Sequence, residues 1–402
     1  MKPRVADVAV VGAGVIGLSV AWRAAQDGLS VAICDPAPAR GASWAAAGMI
    51  APATEARWAE SALHELARVS AAAWPEFAAV LEEESGMEVG LRREGTLSVA
   101  LDADDFRALS ESVAVQRELG CEVEILTGRE CRLIEPSLNP RVVGGATNTS
   151  DNQVDNRALL RALLEAISRR GVNLLQTRVD KVVYGAGGRV TGVAFDDGSQ
   201  LGAGKVVLAA GCRTGQVNGL TAHDLVPVRP VKGQILRLHA DPSAPVIGRT
   251  VRVLAQGRSV YLVPRSSGEL VVGATVEERG FDETVTAGAV HELLRAAVAV
   301  VPDVGELELA EAMARLRPGT PDNAPVLGPA ATAGLFLATG HYRHGVLLAP
   351  VTAGAVSDML AERAVEGPAG AFSAERFNGK GPSYERKAPN QTKGSFQLNR
   401  PQ

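Results

Sequence analysis

An apolar, β-branched run, Val5–Val11, leads straight into Gly12-Ala13-Gly14-Val15-Ile16-Gly17, and the next apolar run ends in Asp35. Few sequence features constrain a fold as tightly. Val8, Val10 and Val11 suit a buried parallel strand. Gly12 permits a tight turn, Gly14 lets the backbone approach a pyrophosphate, and Gly17 lets helix and strand pack closely. The spacing predicts a helix over 15–27 that stops at Gly28, whose N-terminal amides and dipole attract phosphate. A second strand over 30–34 delivers Asp35 where a carboxylate accepts from a ribose 2′-hydroxyl. Glycine-rich turns also occur for structural reasons alone. Strand, helix, second strand and acid together favour a dinucleotide site. An acid in place of an arginine argues against a 2′-phosphate, and so against NADP.

The chain has 402 residues, enough for two domains. Its 46% hydrophobic and 21% charged content is that of a globular protein, and a net charge of −4 argues against nucleic acid and anionic membrane as partners. Cys34, Cys121, Cys131 and Cys212 lack metal or redox spacing and read as reduced thilols of a cytoplasmic protein. His341 and His344 have no acid or thiol close by in sequence, so no metal site is expected. The apolar N-terminus is broken by glycines and runs into Arg23 and Asp27, unlike a secretory signal, and no run reaches the ~18 apolar residues of a spanning helix.

Residues 42–51 carry a run of small side chains that reads either as a packed helix start or as backbone set close to a large planar ligand. A long helical stretch over 55–84 is expected to restart at Pro75. Short strands follow over 87–101, then a helix over 102–120 capped by Asp102. A strand and polar turn occupy 142–156, a helix 157–170 and a strand 172–175. Strands over 181–184 and 189–195 lead through the Asp197-Gly198 turn to the next, and a buried strand over 206–210 closes at Gly211. The segment 223–317 alternates as strands (234–238, 259–263 and 270–273), with one amphipathic helix over 286–301. A last strand, 335–339, precedes a helix over 346–363. The fold expected is α/β: a discontinuous Rossmann-type nucleotide domain from 1–87, 149–222 and 318–377, and a second α+β domain, on a mixed or antiparallel sheet, from 88–148 and 223–317. Residues 378–402 read as a disordered tail.

The chain resembles the D-amino-acid oxidase superfamily of flavoproteins. The resemblance rests on Gly12–Gly17 with Asp35, on Ser43-Trp44-Ala45-Ala46-Ala47-Gly48-Met49 and on Pro230-Val231-Lys232-Gly233-Gln234. It extends through Tyr261-Leu262-Val263-Pro264-Arg265, Gly273-Ala274-Thr275, Leu316-Arg317-Pro318-Gly319-Thr320-Pro321-Asp322 and the run from Gly340-His341-Tyr342-Arg343-His344-Gly345 to Pro350. These motifs occur in order over about residues 5–377. Within the superfamily they look most like the glycine oxidases of thiamine biosynthesis.

The resemblance implies FAD, held noncovalently, since the stretch 317–326 lacks the cysteine through which some relatives attach flavin. It assigns to the cofactor Gly12, Gly14, Val15, Ile16, Gly17, Asp35, Ser43, Ala46, Ala47, Gly48, Met49, Val179, Gly211, Gly340, His341, Arg343, His344, Gly345, Val346 and Leu347. A helix starting near Gly345 would offer free amides and a positive dipole end to a reduced, anionic flavin. For substrate it implies Arg317 as the carboxylate ligand, able to bind it in bidentate fashion, with Tyr261 closing the site and Arg343 and Met49 lining it.

The reaction implied is oxidative deamination of glycine, short amines or D-amino acids by hydride transfer to flavin N5, giving an imine and, with oxygen, hydrogen peroxide. No side-chain base is required, because the cofactor does the redox chemistry. The imine would supply thiazole synthesis, with thiazole synthase as its acceptor, and a homo-oligomer is implied. Three departures from the family pattern bear on the pocket: Val276, Ser259 and Trp44. Val276 leaves glycine, sarcosine and short D-amino acids all open as substrates. A dehydrogenase of the same fold using a non-oxygen acceptor, a nicotinamide dehydrogenase and a noncatalytic flavin-binding protein are the other readings.

Overall fold

The computed structural model of the chain describes residues 4–255 and 258–377. The expectation of a disordered tail lies outside the described residues. The N-terminal strand, Arg4–Val11, has two apolar faces and takes an interior place in an eight-stranded sheet. Along that sheet the order is Val326–Pro329, Leu335–Thr339, Gln200–Leu208, Arg4–Val11, Val31–Cys34 and Asn173–Leu175. The last five run parallel, and Val326–Pro329 adds an antiparallel edge. Alternation along the strand decides what covers each face. Val8 and Val10 join a core formed with the helices Val15–Gln26, Ser61–Ser85, Asn156–Arg169 and Ala349–Leu360. Ala9 and Val11 join a second core with the strands Val179–Tyr184 and Val190–Phe195.

The other eight-stranded sheet has the order Glu308–Gly319, Arg229–His239, Glu269–Gly273, Arg258–Pro264, Thr250–Ala255, Thr96–Ala100, Gly144–Asn148 and Glu124–Thr127. All its pairings are antiparallel except Thr250–Ala255 with Thr96–Ala100. Leu293, Ala297 and Val300 of the helix Ala287–Val300 fill the core on one face. On the opposite face Ile235, Val263, Val271 and Met313 pack on Ala45 and Ala47. That contact brings the small-residue run of the first sheet's loops against the second sheet. Among the described residues, no helix is long and apolar enough to cross a membrane.

Three expectations need correction. Pro75 does not start a new helix: Ser61–Ser85 is continuous through it. Proline in a helix interior removes a hydrogen bond, but Leu66, Ala67, Trp74, Ala78 and Leu81 form one buried face across the break and hold the helix together. The separate strands expected after Asp197-Gly198 and over 206–210 are one strand, Gln200–Leu208. Its outer edge passes from the antiparallel hairpin partner at 192–194 to the parallel partner at 335–337. The helix expected from 346 begins only at Ala349, because residues 342–348 form turns closed by Leu348 N–H to His344 O and Ala349 N–H to Val346 O. The strand Glu124–Thr127 and helix Gly128–Ile134 were not anticipated. Their signal is local: Thr127 and Glu130 form a capping box.

Candidate active site

One cavity of about 890 Å3 runs between the two sheets. Its first wall is the glycine turn. Gly12 adopts φ +104°, and a Cβ there would stand 2.5 Å from the Ala209 carbonyl oxygen, so only glycine fits. The helix Val15–Gln26 has Gly14 as N-cap with no side-chain cap of its own; Ser43 Oγ accepts from the Val15 amide at 3.0 Å. Val15 and Ile16 of the first turn line the cavity, and the free backbone N–H groups of a helix N-terminus are the arrangement that binds phosphate. Asp35 also lines the cavity, and its two oxygens accept from the amides of Ala13 and Ala37, both at 2.8 Å. The carboxylate thus fixes the turn while keeping lone pairs for a hydroxyl.

Of the residues assigned to cofactor, Gly12, Gly14, Val15, Ile16, Asp35, Ser43, Ala46, Ala47, Gly48, Met49, Val179, Gly211, His341, Arg343, His344, Gly345, Val346 and Leu347 all line this cavity. Gly17 and Gly340 do not. Gly17 packs against the Gly12 carbonyl, and Gly340, at φ +76°, packs on Thr320. Leu347 is held from behind, its carbonyl accepting from Ser70 Oγ at 2.7 Å and Trp74 Nε1 at 3.0 Å. The amides of Gly345, Val346 and Leu347 have no backbone partner among the described residues. The free amides expected here are therefore supplied by turns and not by a helix start.

Arg317, Tyr261, Arg343 and Met49 line the same cavity. Tyr261 lies across Gly273, where a Cβ would stand 2.5 Å from the phenol oxygen. Burial raises the Tyr261 pKa against the pull of Arg317 and Arg252, so it remains a neutral phenol and a hydrogen-bond donor. Arg317 donates from Nη1 to the Thr275 carbonyl at 3.1 Å, which aims the guanidinium. Arg343 is placed differently from a free substrate ligand. Its Nε stands 3.1 Å from Glu55 and its Nη2 3.9 Å from Glu60.

Glu55 and Arg252 also line the cavity and had no sequence signal of their own. Arg252 is the cross-strand partner of Tyr261, so the pairing that places one places the other. Its Nη1 donates to Glu55 at 2.5 Å. Burial opposes ionisation of Glu55, but Arg252, Arg343 and His344 outweigh it and hold the carboxyl well below its usual range. Burial lowers the pKa of His341 to about 3 and of His344 to about 4, so both are neutral at pH 7. His341 Nε2 pairs with Thr352 Oγ1 at 3.0 Å. His344 Nε2 is buried without a partner among the described residues.

Two of the sequence departures find places. Trp44 stacks between Arg40 and Arg157, each guanidinium 4.3 Å from its ring. Val276 is 63% exposed on the cavity rim. The Ser259 side chain lies outside the described residues.

The arrangement fits an elongated, anionic, planar-headed group. A phosphate-binding turn and a carboxylate stand at one part of the cavity, and small side chains with unpaired amides at another. Beyond them an arginine and a phenol can hold a carboxylate. Comparisons with known proteins agree with this. A family model described as "FAD dependent oxidoreductase" matches residues 7–359. A glycine oxidase of Geobacillus kaustophilus is 33% identical over 378 residues, covering 93% of this chain and 98% of its own. The crystal structure of glycine oxidase from that organism superposes with a TM-score of 0.84 over 93% of this chain and 99% of the other, at 33% identity. A "Bifunctional protein ThiO/ThiG" of Synechocystis sp. is 35% identical over 375 residues, 92% of this chain. The chain spans about half the length of that bifunctional relative, at 54%.

Proposed function

We propose, from the premise that this chain belongs to the FAD-dependent oxidoreductase family, that it oxidises glycine or a similarly small amino acid at its α-carbon–nitrogen bond. The observation that carries the reading is the continuity of one cavity from Asp35 and the glycine turn to Arg317 and Tyr261. The chemistry that FAD supplies when bound is a two-electron oxidation of the amine, with oxygen as the final acceptor. Those of the residues assigned to the cofactor that line the cavity would hold it noncovalently. The cavity thiols Cys34 and Cys212 are pushed up to about 12 and about 11, chiefly by burial, which keeps them protonated and poor nucleophiles.

The protein's own part is orientation. Arg317 binds the substrate carboxylate with the paired donors of a guanidinium. Tyr261 donates its phenol hydrogen to the same group. Met49 bounds the pocket, while Arg343, held by Glu55 and Glu60, forms a wall and is not a free cation. Ile235 and Met313, packed against the small-residue loop, exclude water from that side. The pairs of Arg343 with Glu55 and Glu60 form one wall of the pocket, and glycine, sarcosine and short D-amino acids are the candidate substrates. The domain division 1–87, 149–222 and 318–377 against 88–148 and 223–317 is supported by the two separate sheets.

The imine product points to thiazole synthesis, and a thiazole synthase as acceptor, in keeping with the names of the bifunctional relatives. A homo-oligomer completes the reading, as does a place in the cytoplasm, which four cysteines free of disulfides support. The test is anaerobic addition of glycine, sarcosine, D-alanine and D-proline to the flavin-loaded protein, followed by air. Bleaching of the flavin by at least one of them and release of peroxide on reoxidation are expected. A flavin-loaded protein that none of them reduces would refute the proposal, and reduction without peroxide would assign a different acceptor.

A further inference from the structure

Two buried guanidiniums stand behind the loop of residues 43–49. Arg237 belongs to the strand Arg229–His239, and Arg265 follows the strand Arg258–Pro264; they are 1% and 4% exposed. Arg237 Nη2 donates to the carbonyls of Trp44 at 3.2 Å and Ala46 at 3.3 Å. Arg265 Nη2 donates to the Ala47 carbonyl at 2.5 Å, and its Nη1 to Gln153 Oε1 at 2.6 Å. Asn156 joins them. Its Nδ2 donates to the carbonyls of Ser43 at 2.8 Å and Trp44 at 3.0 Å, and its Oδ1 accepts from both guanidiniums at 3.3 Å.

The carbonyls of residues 43, 44, 46 and 47 are therefore all pinned by the cluster of Arg237, Arg265 and Asn156. In a trans peptide the N–H points opposite to the C=O. With the Ala46 and Ala47 carbonyls turned back, the amides of Ala47 and Gly48 turn away from the arginines. Both residues are buried and both line the cavity. Neither amide has a hydrogen-bond partner among the described residues. Buried amides are rarely left unpaired, because each costs about as much as a lost hydrogen bond. Their partner is the group that fills the cavity.

The two arginines differ in charge balance. Arg237 is ion-paired with Glu269. Arg265 has no carboxylate within ion-pair distance among the described residues; its bonds go to neutral acceptors. Burial lowers its pKa to about 10, which still leaves it cationic at neutral pH. A cation donating to the Ala47 carbonyl polarises that peptide and strengthens the Gly48 amide as a donor. We propose that Arg265, aided by Arg237 and Asn156, is a positioning residue for the flavin: it fixes the 43–49 loop with its amides toward the cofactor and passes positive charge to it through the Ala47–Gly48 peptide. The strands that build the substrate side thereby also tune the cofactor's readiness to take electrons. The inference rests on the reading that FAD fills this cavity.

The test compares the FAD-loaded protein with Arg265→Gln and Arg265→Lys, reading the two-electron midpoint potential and the affinity for sulfite, a probe of electron-poor flavin that needs no amino-acid substrate. Loss of the cation is expected to weaken sulfite binding at least tenfold in Arg265→Gln and to make the midpoint about 30 mV more negative, that tenfold expressed as a potential. Arg265→Lys keeps the charge but not the fork of donors, and is expected to fall between the two. Wild-type potential and sulfite affinity in a folded, flavin-loaded Arg265→Gln would overturn the proposal. If Arg265→Gln does not fold, Arg265→Lys decides: a shift in the same direction supports the role, and wild-type values reject it. A wild-type chain that binds no FAD would instead defeat the underlying reading.

Discussion

The Arg317 guanidinium lies across Gly233, its Cζ 2.5 Å from where a Cβ on that glycine would stand. The two sit on adjacent strands, Arg317 paired with Val231 and Gly233 with Arg315, so the side chain folds diagonally over the bare backbone. A methyl at 233 would push the mobile end of Arg317 and leave the backbone in place. Gly233→Ala is therefore expected to fold, to keep its FAD and to raise the KM for glycine ten- to hundredfold. That range corresponds to losing a charge-assisted hydrogen bond of about 1.5–3 kcal/mol. Steady-state kinetics with a flavin-content measurement check it; an unchanged KM would separate Arg317 from carboxylate binding.

The contrast between Gly233 and Gly12 shows what a sequence of this kind discloses. Gly12 belongs to a contiguous strand–turn–helix unit whose parts all lie within Val5–Asp35, so local chemistry reveals it. The capping of the 103–118 helix by Asp102, which accepts from the amides of Asp104 and Asp105, was legible for the same reason. Gly233 matters only because a strand about 80 residues later lays an arginine over it. Glu55, Arg237 and Arg265 are likewise defined by partners far along the chain. The course of the chain at Pro75 was misread because a proline's local preference was outweighed by an apolar face visible only once the helix packs.

Asp35 makes two amide hydrogen bonds and lines the cavity, so it serves both the turn and the ligand. Asp35→Ala is expected to weaken FAD binding at least tenfold, measured by titrating apoprotein with FAD and following flavin fluorescence. At saturating FAD the KM for glycine should stay within about twofold, since Arg317 and Tyr261 stand on the other sheet. A glycine KM that rises with FAD saturated would instead couple Asp35 to the substrate pocket.

Glu55 neutralises Arg252 and faces Arg343 across 3.1 Å. Glu55→Gln takes from Arg252 its ion-pair partner and leaves Arg343 only Glu60, 3.9 Å away, a change that costs about 3 kcal/mol. The flavin-loaded variant should melt several degrees lower at pH 7. A melting temperature equal to that of the wild type would mean that water or a bound anion replaces the carboxylate.

Acid should loosen the cofactor side of the cavity before it reaches the carboxylates. His341 and His344 have folded-state pKa values of about 3 and about 4, against an ordinary 6.5, because burial disfavours the charged ring. Their folded pKa is depressed, so the unfolded state binds protons first as pH falls. Their contribution is thus fully present above pH 6.5 and is lost as pH drops toward 4 and 3. One unit below 6.5, at pH 5.5, each histidine costs about 1.4 kcal/mol, so the pair lowers stability by about 3 kcal/mol relative to neutral pH. Glu55, also depressed, adds its own loss only below its ordinary value of 4.5. Thermal melts of the flavin-loaded protein between pH 7.5 and 5 should fall steadily below 6.5. His344→Asn, which cannot titrate there, should show roughly half the slope. A wild-type melting temperature flat across that interval would mean that both rings take up protons in the folded state as readily as in the unfolded chain.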